Sequence, residues 1–222
     1  MTIHLTHGNH KTREDGVCAM EAAAYIAGEV HSDKPKCVSP VIRAFMMTWN
    51  DGLPSDAERD RLLKPLLPLV LHTWTTSADE DARVWMATDW LVRVYTPAWL
   101  DLAGLTSHAT ALRELSPYTC VEIAVAAQGV LDAAGVAARA AAGDAAWDAA
   151  WDAAGDATRA AAWDALIPTV TMLQASAAEL VQRMCAVGEV HERPMIAALA
   201  SWQDRGCDHI IKNGLPVAAS GR

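Results

Sequence analysis

The chain has little with which to hold a polyanion. Its 222 residues carry 18 Lys and Arg against 27 Asp and Glu, a formal net charge of −9, and broad affinity for nucleic acid or an anionic membrane needs clustered cations. No broad nucleic-acid surface is expected. Long hydrophobic runs are missing too: Ile123 to Val130 is interrupted by Gln128, and Leu62 to Leu71 is broken by Pro65 and Pro68. Both fall far short of the roughly 18 apolar residues that a bilayer-spanning helix needs, so no membrane association is expected. Cysteine offers no framework either. Cys18, Cys37, Cys120, Cys185 and Cys207 are scattered and odd in number, and no leader pattern precedes them, so a reducing, cytoplasmic setting is expected.

Phenylalanine is almost absent, with one residue against nine Trp. Alanine fills much of the third quarter of the chain, a composition that suits helices approaching closely on small side chains with a few indoles as packing anchors. Residues 1–16 read as an irregular polar arm ending in Gly16. Helical spacing then predicts a first helix over 15–27, with Gly28 as its C-terminal cap, and a second from Pro40 to Asn50. The pairs Ser55/Glu58, Ser77/Glu80 and Thr119/Glu122 read as capping boxes, in which a hydroxyl and a carboxylate satisfy free backbone N–H groups at a helix start. They open helices at 56–72, kinked by Pro65 and Pro68, at 78–95, and at 119–134, the last interrupted by Gly135. Shorter helices are expected from Pro97 to Gly104 and from Ser107 to Leu115, and others from Pro168 to Val187 and from Pro194 to Trp202.

Between Arg139 and Trp163 a marker residue recurs every four positions, through Trp147, Trp151 and Trp163, with Asp one step behind. A helix turns about 100° per residue, so these indoles spiral, and Trp147 and Trp163 end about 160° apart. That predicts an enclosed helix whose carboxylates are solvated. The class expected is all-α: a single-domain multi-helix bundle over 1–222 with an irregular N-terminal arm, the Ala/Trp/Asp-rich part being 116–222.

The densest titratable chemistry lies at the start of the chain. Cys18 falls in the first turn of a predicted helix, where free N–H groups and the macrodipole favour a thiolate, and His7 and His10 stand upstream as bases. Glu21 shares the face of Cys18. A Cys–His hydrolase or transferase would use Cys18, His10 and Glu21, with His7, His31 and Asp33 lining a ligand. Buried core packing of Cys18 is the competing reading. His4, His7 and His10, completed by Cys18 and Cys37, are a weaker set for zinc, against an arm that merely caps the first helix and bonds the next loop. Arg83, Trp85, Asp89 and Arg93 can line an anion pocket, or Asp89 and Arg93 can be an ordinary i,i+4 pair.

The run GVCAMEA…AGE…SDKPKC…SPVI…WND, within the first 115 residues, resembles an uncharacterised protein family of actinobacteria and their phages. The resemblance implies a cytosolic bacterial or phage protein. It marks His10, Cys18, Glu21, Ser32, Asp33, Pro35 and Cys37 as the positions matching the motif. With no complete catalytic pattern, the favoured expectation is a non-enzymatic accessory protein binding a small ligand or a host protein. The alternative is the Cys18-dependent enzyme.

Overall fold

The structure, a computed structural model, describes residues 3–151 and 156–188, without the side chains of 143–164. The expected spiral of Trp147, Trp151 and Trp163, the helix from Pro194, and Cys207 fall outside the described residues. Those described are mainly helical, with no strand among them. The all-α class stands. The described residues gather into two compact units, 3–80 with 185–188, and the described part of Asp81–Met184.

In the first unit the arm leads into α1 (Ala19–Ile26), followed by α2 (Pro40–Gly52), α3 (Asp56–Leu63) and α4 (Leu67–Val70). Helix α1 packs on α2 and α4. Its run Ala19, Met20, Ala22, Ala23 and Ala24 is buried together with Leu5, Val38, Ile42, Met46, Leu63, Leu67 and Val70, and small side chains on α1 let its neighbours approach closely. Pro65 and Pro68 act as expected: a 3-10 turn, Lys64–Leu66, separates α3 from α4 because proline cannot donate to the α ladder. The first helix starts later than its pattern suggests. Val17 stays extended because its N–H donates to the Thr6 hydroxyl at 2.9 Å and its carbonyl accepts from Thr6 N–H at 2.9 Å, leaving Cys18 as the N-cap.

The second unit begins within α5 (Ser77–Trp90), which runs on through a π-helical segment, Leu91–Tyr95, into α6 (Thr96–Leu102). The widening has a cause in the sequence. Pro97 has no N–H and its ring crowds the carbonyl four residues back, so the ladder slips by one and Thr96 N–H bonds the Leu91 carbonyl. Next come α7 (Thr106–Arg113), α8 (Val121–Ala126), α9 (Gln128–Trp151) and α10 (Asp156–Cys185). Val92, Leu100, Ala109, Leu112, Tyr118, Ala127 and Ala134 form the buried cluster of this unit.

Other expected boundaries move too. Gly135 does not interrupt a helix; the break falls at Ala127, and Gly135 lies inside α9. Its penalty of about 1 kcal/mol is small enough for packing to override. Pro168 lies within α10 instead of opening it. The predicted Ser77/Glu80 box forms one residue earlier: Asp79 N–H donates to the Thr76 hydroxyl and Thr76 N–H to the Asp79 carboxylate. Glu80 is thereby released to accept from the Ser39 hydroxyl at 2.6 Å, which ties the start of α5 to the N-cap of α2.

Candidate functional site

Glu21 is the centre of the N-terminal cluster. It sits at the third position of α1, 1 % exposed, and its carboxylate accepts from Cys18 N–H at 2.8 Å, His10 N–H at 2.6 Å and His10 Nδ1 at 2.9 Å. Glu21 N–H in turn meets the Cys18 sulfur at 3.5 Å, so Cys18 and Glu21 form a full capping box in which a thiol replaces the usual hydroxyl. His31 Nε2 donates to the His10 carbonyl at 3.1 Å and lies 3.8 Å from Glu21, while its buried Nδ1 has no partner.

The rest of the arm is fastened in the same manner. Leu5 N–H donates to Asp60 at 2.8 Å and Gly8 N–H to Asp51 at 3.0 Å, so backbone donors of Leu5, Gly8 and His10 each end on a different carboxylate. Asn50, 1 % exposed, accepts from Ala19 N–H and donates to the Thr6 carbonyl and to Asp51. Burial opposes ionisation of Glu21, Asp51 and Asp60, yet the donated hydrogen bonds and neighbouring cations outweigh it, and all three carboxyls are held below their ordinary range. Downstream, Glu29 accepts from Lys36 N–H at 2.6 Å and Cys37 N–H at 2.9 Å, pinning the loop that follows α1. The residues of the signature run are thus largely occupied with backbone donors of their own chain.

This occupation changes what Cys18 can do. A lowered thiol pKa was the expectation; instead burial pushes the thiol up to about 12, with the adjacent Glu21 carboxylate adding to the rise against the backbone N–H groups that lower it. Four per cent exposed at the N-cap, the sulfur is a protonated capping group at neutral pH. Cys37 is likewise pushed by burial up to about 11. Nor does His10 address the sulfur. With Nδ1 on Glu21, its Nε2 faces the Thr6 hydroxyl at 3.2 Å. That carboxylate–imidazole–hydroxyl row has the order of a nucleophilic triad, but Gly16 lies over it: a Cβ there would come within 2.5 Å of His10 Nε2 and 2.7 Å of Thr6 Oγ1. Gly16, at φ +140°, is required both by its backbone and by this close approach.

His10, Cys18, Glu21 and His31 therefore converge. His7 does not: it is exposed, its charge acting on Asp51. Asp33 is half-buried in the loop after α1. Among the described residues no group of three His, Cys, Asp or Glu is placed to hold a metal ion, and His4 of the suggested zinc set is spent on Asp60 at 2.7 Å. Arg83 and Arg93 have separate tasks. Arg83, fully buried, donates from Nε to the Met184 carbonyl in the last turn of α10, where a cation complements the helix dipole. Arg93 pairs with Asp89 at 3.1 Å, and Asp89 also accepts from Tyr118 N–H.

The second unit holds a feature that the titratable residues did not announce. A cleft of about 480 Å³ is lined by Tyr95, Thr96, Trp99, Leu100 and Ala103 on one side and by Ala138, Ala141 and Ala142 of α9 on the other. None of these side chains is charged. Trp99 Nε1 is buried without a hydrogen-bond partner, as are Arg93 Nε and the Tyr118 hydroxyl elsewhere in the unit. The sequence carried one hint, Pro97 beside Trp99, which marks a disturbed helix; the alanine wall forty residues later has no local signature.

No protein-family profile, curated protein or solved structure matches the chain.

Proposed function

We propose that the protein is a non-enzymatic accessory protein that binds a small ligand. One observation carries this reading: the polar residues best suited to catalysis are consumed in holding the arm, Glu21 alone taking three donors, whereas the cleft beside Trp99 is open and apolar. Ligand sites combine such a concave apolar surface with a few placed polar groups. The origin in a bacterium or its phage, and action on host physiology, belong to the same proposal and rest on the signature run.

The test is Cys18→Ser, since serine caps a helix as well as cysteine does and removes only the thiol chemistry. Full-length protein and variant, purified from bacterial lysate, are denatured and the released small molecules compared by mass spectrometry. The expected result is the same molecule released in equal amount by both. An empty wild-type protein would overturn the reading, and a covalent adduct on Cys18 that the variant lacks would establish the enzyme instead. Iodoacetamide gives a parallel check. Because the thiolate is the reactive form, Cys18 should label at least about tenfold more slowly at neutral pH than an exposed cysteine.

A further inference from the structure

We infer that the outer face of α8 and α9 is where two copies of this chain pair, the helices running antiparallel about a two-fold axis that passes midway between Val130 and Leu131. The pairing lies in the second unit. It goes beyond the small-ligand reading above, and neither needs the other.

The face is set by what lies beneath it. Ala127 interrupts the α ladder but keeps right-handed helical angles, φ −80° and ψ −9°. The inner side chains stay in phase across that break: Ala124, Ala127, Leu131, Ala134 and Ala138, three or four residues apart, all belong to the buried cluster of this unit or pack against it. The opposite face is therefore continuous as well. It carries Val121, Val125 and Val136, each more than half exposed, together with exposed Gly129 and Ala140. Single exposed apolar residues are ordinary, whereas a helical row of them marks a surface that another element covers.

What covers it is read from the charges. Between 121 and 142 the only charged residues are Glu122, Asp132 and Arg139. In an isologous pair each contact is made twice, residue i on j and j on i. Setting Val125 on Val136 of the second copy puts Val121 on Ala140 and, in the same register, Glu122 on Arg139, so that an acid meets a base at both ends of the interface. A symmetric parallel pair would instead oppose Glu122 to Glu122 and Arg139 to Arg139. Asp132 falls opposite Gly129, which has no side chain to crowd it, and already accepts from Gln128 Nε2 of its own chain at 2.8 Å. Among the described residues, Glu122 and Arg139 have no ion-pair partner within the chain.

Sedimentation equilibrium of the full chain tests this, with circular dichroism verifying the helical content of each variant. Wild type should show a monomer–dimer equilibrium. Val125→Asp brings an unpaired charge into the seam twice and should weaken the dimer at least about a hundredfold. Glu122→Arg and Arg139→Glu each set like charges opposite one another at both ends, and each should weaken it about tenfold. The double variant should recover the wild-type constant, because the exchanged charges face each other again across the axis. A chain that is monomeric at every concentration overturns the pairing; if Val125→Asp then also lowers helical content, the face belongs to another segment of the same chain. A dimer indifferent to Val125→Asp overturns this face as the interface. A double variant as weak as the single ones overturns the antiparallel register.

Discussion

The two units carry buried polarity differently, the first mainly on carboxylates that gather backbone donors, with His31 Nδ1 left over, the second within apolar packing. In the first, donors of an irregular arm are gathered onto carboxylates, Leu5 to Asp60, Gly8 to Asp51, His10 and Cys18 to Glu21, so that a segment without regular structure is tied to the helices. In the second, packing is carried by apolar residues around Leu100 and Leu112, and Arg93 Nε, Trp99 Nε1 and the Tyr118 hydroxyl are left without protein partners. The comparison teaches where to look for function. A polar cluster that gathers the donors of its own chain is most readily explained by the fold it holds, while an open apolar cleft asks for something the chain does not contain.

The contrast is broken most severely at Glu21. Its replacement by alanine strands Cys18 N–H, His10 N–H and the His10 ring in a buried site, and the expected loss is about 3 kcal/mol or more, read as a lower urea midpoint. A loss below about 1 kcal/mol would mean the arm is not fastened there. Next in size are two glycines compared. Gly16→Ala forces a Cβ against His10 at a positive φ and should cost about 2 kcal/mol. Gly135→Ala, inside α9 with its Cβ at ordinary contact distance from the Arg139 guanidinium, 3.5 Å at the nearest atom, should stabilise by about 0.5–1 kcal/mol. Equal effects of the two substitutions would remove the distinction between a glycine required by a close approach and one merely tolerated.

Acid should separate the units more gently. Glu21, Asp51 and Asp60 are more acidic folded than unfolded, so the folded state binds fewer protons; their stabilisation is complete above the ordinary carboxylate pKa and is lost as pH falls through the lowered folded values. Hydrogen exchange should therefore show Leu5, Gly8 and His10 amides losing protection in that window before the amides of α7 and α9. Simultaneous loss would show that the arm carboxylates are not the acid-sensitive element.

Much of the helical layout was legible because it rests on local chemistry: Pro65 and Pro68 mark the break between α3 and α4, and Ser39 ahead of Pro40 opens α2. Boundaries moved where a partner distant in sequence intervened, as when Thr6 held Val17 extended. Among the candidate residues, His10, Glu21 and His31 do meet, yet the effect on Cys18 ran opposite to the helix-dipole argument because burial outweighs it. The Cys18-x-x-Glu21 spacing is itself a capping box, legible once cysteine is admitted beside serine at an N-cap. Trp99 was not legible as a site residue, since its cleft exists only after α6 and α9 are folded.

The most direct measurement is a ¹H–¹⁵N spectrum of the full chain titrated with the small molecule that the purified protein releases. The Trp99 indole N–H resonance should shift and saturate together with the amides of Ala138, Ala141 and Ala142, while His10 and His31 stay still. Shifts centred on His10, Glu21 and His31, with Trp99 unmoved, would contradict the assignment of binding to the second unit.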